Sequence, residues 1–425
     1  MQNYPNNIYI PDQIIYIINK IMAAGGQAYI VGGALRDVIL EKKPTDWDIA
    51  TSLPPKKVEI IFDNTIPTGK RFGTITVIVD DMTIEVTTFR GECNYSDFRH
   101  PDQIEFVENI EADLSRRDFT INAMAYNPFT SKKWVDPFLG IEDIKYSNIK
   151  TVGNPNERFQ EDPLRMMRAI RFASQLGFDI DINTKKSIYT NKLLINNIPK
   201  ERTGDELYKI LISPYVIKGI SQLNILGLSK IILGYDISPS PSIISYCPPD
   251  FPLRMAAFLY TGIINRKDVA LDYAKKTMRN LRYSNKLVND VICILRFASI
   301  ELDEHQDAYQ VRKMMSKIGV VNTIKGLHLK RAILMDNNPS KYQKGLLELY
   351  KIEYIVYEIM QNKDPLSIYQ LAIDGHDIIR LGIGQKDKKD IGKALGMAHE
   401  WVLKDPSLNN KEVLLSRLKY TFRIE

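Results

Sequence analysis

Hydrophobic periodicity changes character once along this chain, and that change limits the folds open to it. Before about residue 160, helix-like and strand-like stretches alternate. From Glu161 onward strand signals nearly vanish and apolar residues recur with period 3.6. In the first part, residues 11–23 have helical spacing, Gly25-Gly26 interrupts it, and Ala28-Tyr-Ile-Val31 reads as a short apolar strand. Segments 73–79 and 82–89 alternate apolar and polar residues around Asp80-Asp81, the pattern of a hairpin, and Gln103–Val107 is a further strand candidate. In the helical part, Ser238-Pro-Ser-Pro-Ser242 followed by Cys247-Pro-Pro-Asp-Phe-Pro252 cannot belong to one continuous helix. A chain of 425 residues exceeds one compact core, so two to four domains are expected: an α/β head, then a long all-helical region.

Charge and cysteine content narrow the setting. A formal charge of +6 permits a polyanionic partner without requiring one. Cys93, Cys247 and Cys293 are scattered and odd in number, which fits neither a disulfide framework nor a zinc cluster and points to a reducing cytoplasm. The N-terminal stretch is broken by Pro, Asp, Gln, Asn and Lys, so neither a signal peptide nor a membrane span is expected. No protein partner is evident.

Three short stretches carry chemistry. Val31-Gly32-Gly33-Ala34-Leu35-Arg36-Asp37 reads as a strand, a diglycine turn and a helix. Glycines there let backbone N–H groups approach a phosphate beside Arg36; a purely structural turn has the same sequence. Thr45-Asp46-Trp47-Asp48 puts two carboxylates at i and i+2, on one side if the segment is a strand. Such a pair repels itself and calls for cations or solvent. Two Mg²⁺ ions ~4 Å apart can share both groups, while an exposed acidic turn looks identical in sequence. Glu85, on a neighbouring strand candidate, is a possible third carboxylate. Finally, Glu161-Asp162-Pro163-Leu164-Arg165 opens a helix with a capping carboxylate and an early proline. Asp162 and Arg165 then share a face, and Arg168 and Arg171 advance around the same turns.

Taken together, the order Gly32–Asp37, Asp46–Asp48, Arg116-Arg117-Asp118 and Glu161–Arg165 resembles the polymerase β-like nucleotidyltransferase superfamily. The specific similarity is to its class II branch, the bacterial and eukaryotic-type tRNA CCA-adding enzymes and bacterial poly(A) polymerases. It is dense over residues 28–212. The resemblance implies an α+β fold: a nucleotidyltransferase head with a mixed sheet over 1–150, a helical neck over 151–215, a body over 216–335 and a tail over 336–425. It implies Mg²⁺ on Asp46 and Asp48 as catalytic residues, with CTP and ATP as substrates and the tRNA 3′ end as partner. Nucleotide contacts would fall to Gly33, Arg36, Arg117, Asp118, Asp162, Arg165, Arg168 and Arg171. Among these, Asp118 would meet the ribose 2′-hydroxyl, and Asp162 with Arg165 would read the base edge.

Further expectations rest on the same resemblance. Residues 87–101 are similar to a loop that CCA-adding and A-adding enzymes keep. Val135-Asp-Pro-Phe-Leu139-Gly140 is similar to a hinge with Leu139 where a first glycine is usual. Glu201-Arg202 through Leu211 is similar to a helix that braces the base-reading residues. The absence of a Lys/Arg-rich stretch before Glu425 argues against a poly(A) polymerase, whereas A-only addition stays open. Lys275, Arg279, Arg282 and Lys286 are expected on one helical face, with Lys325, Lys330 and Arg331 as a second basic cluster for RNA. Leu164, Met167 and Phe172 are expected in the core. His376-Asp377 is not expected to form a phosphohydrolase site. A non-catalytic RNA-binding protein is the alternative of a different class.

Overall fold

Four isoleucines open the folded chain. Ile14, Ile17, Ile18 and Ile21 recur at i, i+3, i+4 and i+7 along α1 (Asp12–Ala23), and all four are fully buried. Each removes roughly 1.5–3 kcal/mol of apolar exposure on folding. The computed structural model describes all residues except 1–4, 6, 7, 92–104, 235–237, 261–266, 301–306, 337, 338, 385, 386 and 425. Contacts group the chain into two compact units, Met1–Ser238 and Pro239–Glu425. The division falls in the Ser-Pro-Ser-Pro-Ser stretch, where Pro239 and Pro241 cannot extend a helix.

The first unit is built on a sheet with seven strands among the described residues. In chain order these are β1 (Ala28–Val31), β2 (Asp48–Thr51), β3 (Thr65–Gly69), β4 (Thr74–Val79), β5 (Met82–Thr88), β6 (Ala125–Tyr126) and β7 (Trp134–Val135). They lie in the order β3-β4-β5-β2-β1-β6-β7. The β2–β5 pair is parallel and the other pairs are antiparallel, so the sheet is mixed as expected. The β4–β5 hairpin turns at Asp80-Asp81, with Val79 opposite Met82. The strand anticipated at 103–107 does not form in its described part: Phe106 makes an isolated bridge to Arg90, and residues 103 and 104 lie outside the described residues.

Helices α2 (Gly33–Ile39), α3 (Pro55–Ile61), α4 (Ile110–Ser115) and α5 (Gly140–Lys145) complete the head. Behind it come α6 (Pro155–Glu161), α7 (Leu164–Leu176), α8 (Ile182–Asn191), α9 (Lys200–Leu211), α10 (Val216–Ile225) and α11 (Leu228–Leu233). At the turn before α5, Leu139 adopts φ 61°, in the left-handed region. Asp136 holds that turn by accepting from the Gly140 and Ile141 amides at 2.7 and 3.1 Å. A side chain at position 140 would strike the Thr120 carbonyl oxygen at 2.2 Å, so glycine there is a packing requirement.

The second unit is helical throughout its described residues, from α12 (Pro241–Tyr246), α13 (Phe251–Tyr260), α14 (Lys267–Asn280) and α15 (Asn285–Ala298) through α16 (Ala308–Ile318), α17 (Val320–Asp336) and α18 (Pro339–Gln361) to α19 (Gly375–Arg380), α20 (Lys389–Lys404) and α21 (Lys411–Phe422). Both basic expectations change here. Lys275 and Arg279 lie on α14, but Arg282 sits in a turn at φ 61° and Lys286 belongs to α15, whose start is capped by Ser284. The four therefore do not share one helical face. Lys325 pairs with Asp250 at 2.7 Å, Lys330 donates to the Ala298 and Ile300 carbonyls, and Arg331 binds Glu353. Each member of that second cluster thus has an internal partner.

Candidate active site

Sheet register assembles the acidic side of the site. Asp48 opens β2 and stands beside Val31 of β1 on one side and Glu85 of β5 on the other. Glu85, held only loosely from sequence, is thus the direct cross-strand neighbour of Asp48. Asp46 precedes the strand and is exposed, so the i, i+2 alternation within a strand does not describe the pair. The two carboxylates nevertheless line the same cavity as Glu85. Burial raises the Asp48 pKa above the ordinary carboxylate value, Glu85 and Asp46 push it further, and Arg117 opposes them. Gly32, at φ 79°, passes close by: an added Cβ would lie 3.4 Å from both Arg117 Nη1 and Asp48 Oδ2. Glycine is needed at 32 for that backbone conformation, more than at the expected Gly33.

Arginines dominate the remaining walls of this cavity, whose volume is about 820 Å³. Arg36 binds Asp37 at 2.7 Å and Asn122 at 2.8 Å. Arg117 binds the buried Asp113 at 3.0 Å. Asp118 is almost enclosed: its Oδ1 accepts from the Phe119 amide at 2.8 Å, and its Oδ2 accepts from Arg168 Nε at 2.7 Å. Burial alone would raise the Asp118 pKa, but Arg168 and Arg165 outweigh it and hold the carboxyl below its usual range. The pair is neither exposed nor local to a helix start; it joins the turn after α4 to α7.

Along α7 the partners differ from what three-residue spacing alone implies. Asp162 accepts from the Leu164 amide at 3.0 Å, in the capping manner expected. It pairs with Arg202 of α9 at 3.1 Å. Arg165 instead binds Glu161 at 2.6 Å and the backbone carbonyls of Arg158 and Arg116. Arg171 faces Glu206 of α9 at 3.2 Å, so α9 is ion-paired both to the residue before α7 and to one within it. Burial lowers the Arg171 pKa, with Glu206 opposing. Phe172 is buried as expected, yet its ring also carries the guanidiniums of Arg36, Arg168 and Arg171 at 5.3, 5.5 and 4.4 Å.

Every anticipated nucleotide residue lines this cavity, as do Asp46 and Asp48. Asp113 and Asn122 are not among the residues expected from sequence, and Glu161 is expected only as part of its motif. Asp113-x-x-Arg116-Arg117 does carry a signal, because i, i+3 and i+4 share a helical face. The loop expected at 87–101 lies outside the described residues from position 92 onward. Among the described residues, no three His, Cys, Asp or Glu side chains converge as a ready-made metal cage, His376-Asp377 included. Asp377 pairs with Lys411 at 2.6 Å. No helix among the described residues is long and apolar enough to cross a membrane.

Comparison with known proteins identifies relatives along nearly the whole chain. Residues 28–150 match the poly A polymerase head domain, and 177–237 match a probable RNA and SrmB-binding site of polymerase A. The CCA-adding enzyme of Anoxybacillus flavithermus is 33% identical over 409 residues, 95% of each chain. That of Ligilactobacillus salivarius is 32% identical over 425 residues, covering 96% of this chain and 97% of its own. The structure of the Bacillus stearothermophilus CCA-adding enzyme in complex with CTP superposes with a TM-score of 0.76 at 28% identity, over 97% of each chain. The chain belongs to the CCA-adding enzyme family, the tRNA nucleotidyltransferases.

Proposed function

We propose that this chain adds C, C and A in turn to the tRNA 3′ end from CTP and ATP, releasing pyrophosphate, with its steps divided among the residues of one cavity. One observation carries the division: Asp46, Asp48 and Glu85 line the same space as Asp162, Arg165 and the arginines of α2 and α7. Asp46 and Asp48 would hold Mg²⁺, with Glu85 beside them. The fit rests on Asp48, whose charged form is disfavoured by burial and by two neighbouring carboxylates, a situation a cation relieves. Held there, Mg²⁺ would lower the pKa of the 3′-hydroxyl and offset charge on the pyrophosphate.

The protein's own residues do the rest. Arg36, Arg117, Arg168 and Arg171 offer positive charge to the triphosphate, and Gly32-Gly33 leave its approach open. Asp118 accepts from the ribose 2′-hydroxyl after sharing or yielding its bond to Arg168. Asp162 accepts from the exocyclic amine common to C and A, while the Arg165 guanidinium donates to ring acceptors. The RNA 3′-hydroxyl attacks the α-phosphate, so no protein nucleophile is needed. A head over 1–150, neck over 151–215, body over 216–335 and tail over 336–425, acting in the cytoplasm, belong to the same proposal.

The test offers purified protein three tRNA transcripts, ending before CCA, after C and after CC, with each nucleotide alone and mixed. Ordered addition that stops after CCA is expected. Addition of A only to the CC-ended transcript would mean a shared pathway, long adenosine tails would mean polyadenylation, and no addition would leave an RNA-binding protein.

A further inference from the structure

Asp113 belongs to no motif that reads a nucleotide, yet it is 1% exposed and central to the site's wiring. One oxygen takes Arg116 Nη2 at 2.6 Å, Arg116 Nε at 3.1 Å and the Arg90 amide at 3.2 Å. The other takes Arg117 Nη2 at 3.0 Å. Two adjacent arginines that would otherwise repel each other are thereby fixed on one buried carboxylate.

Those arginines lead to different parts of the cavity. Arg117 reaches the acidic side, where its guanidinium lies against Gly32 and counters the charge of Asp48. Arg116 is tied twice, by its side chain to Asp113 and to the Arg90 carbonyl at 3.1 Å. Its own carbonyl then accepts from Arg165 Nη2 at 3.1 Å. Arg165 has few other supports, the Glu161 carboxylate and the Arg158 carbonyl. A continuous set of bonds therefore runs from Arg117 through Asp113 and Arg116 to Arg165.

We propose that Asp113 is a positioning residue that couples base choice at Arg165 to phosphate placement at Arg117. When the triphosphate pulls Arg117, the shift reaches Arg165 through a rigid carboxylate with four donors. A correctly bound base, in turn, sets Arg117 for the phosphate. This inference rests on the base-reading role of Arg165 proposed above.

The experiment is a double-mutant cycle with Asp113→Asn and Arg165→Ala in the full chain, measuring KM and kcat for CTP, C-over-U preference, tRNA binding and thermal unfolding. Asp113→Asn is expected to raise KM for CTP and to lower C-over-U preference together, each roughly five- to twentyfold, with tRNA binding unchanged. In the Arg165→Ala background, the effect of Asp113→Asn on base preference should vanish. Additive effects, or a lowered unfolding temperature with KM and preference intact, would overturn the coupling. If Arg165→Ala itself leaves base preference intact, the base-reading role falls and this inference with it. If Asp113→Asn fails to fold, Arg116→Gln replaces it: base preference should fall while KM for CTP moves less, and the opposite pattern refutes the route through Arg116.

Discussion

Two sides of one cavity handle charge in opposite ways. On the sheet side, Asp48 and Glu85 stand in register with each other, and Asp46 lines the same cavity with no arginine bonded to it among the described residues. On the α7 side each ionic group already has a partner: Asp118 with Arg168, Asp162 with Arg202, Arg165 with Glu161 and Arg171 with Glu206. Carboxylates left facing one another suit a cation, as the proposed Mg²⁺ site would require. Paired groups are fixed in geometry beforehand, which is what the proposed selection of nucleotide requires. On the proposed reading, chemistry and selection are separated by how each side balances its charge.

The comparison breaks most sharply if the unpaired side is altered. Asp46→Ala should lower incorporation at least about 10³-fold with tRNA binding largely intact, since on the proposed reading it removes a metal ligand and leaves the pairs of α7 untouched. Gel-based turnover and a filter-binding assay separate the two effects. Appreciable turnover in that variant would refute the metal assignment. A milder loss belongs to the paired side. Asp162→Ala or Arg165→Ala should relax the preference for C and A over G and U by about 1–3 kcal/mol, or roughly five- to 150-fold, before chemistry fails. Competition between CTP and UTP reads this directly, and an unchanged preference would end the templating role.

How much of this contrast was legible beforehand depended on whether a residue acts through its neighbours in sequence or in space. The diglycine turn, the Asp-x-Asp pair and the α7 arginines are local patterns, and all of them line the cavity. The β4–β5 hairpin was readable because alternation and a turn signal coincide. Glu85 was not readable with any force: its neighbour Asp48 is 37 positions away, and only parallel strand register joins them. Asp113 carried only the weak signal of i, i+3 and i+4 spacing to Arg116 and Arg117, which marks an ion pair without showing that it is buried beside the cavity. The basic stripe at 275–286 went wrong because spacing assumes an unbroken helix, and the left-handed turn at Arg282 breaks it. The internal partners of Lys325 and Arg331 were not legible because Asp250 and Glu353 are far away in sequence.

A third substitution tests whether pairing and substrate recognition compete. Asp118 already accepts from the Phe119 amide and from Arg168. Asp118→Asn keeps the shape and the capacity to accept, but weakens both the pair and any bond to a ribose hydroxyl. The preference for CTP over dCTP should fall about tenfold, the worth of one charge-assisted hydrogen bond of about 1.5 kcal/mol. Base preference should change less, because Asp162 and Arg165 keep their own partners. A variant that loses base preference first would place Asp118 with the base instead of the sugar.

The smallest expected effect is on stability, and it sharpens the contrast most directly. Because the folded-state pKa of Asp48 is raised by burial, Glu85 and Asp46, the native protein binds the proton more tightly than the unfolded chain. Without divalent cations, the stability from this group therefore falls as pH rises from the ordinary carboxylate value through the raised one. For Asp118, whose folded pKa is depressed, the sign reverses: its contribution is present above the ordinary value and is lost as pH falls through the depressed one. Asp48→Asn removes the first dependence and leaves the second. In chelator near neutral pH, that variant should melt slightly above the wild type, on the order of 1–3 °C. Added Mg²⁺ should stabilise the wild type by mass action and the variant much less, reversing the order. Equal stabilisation of both proteins by Mg²⁺ would show that the repelling carboxylates are not where the cation binds.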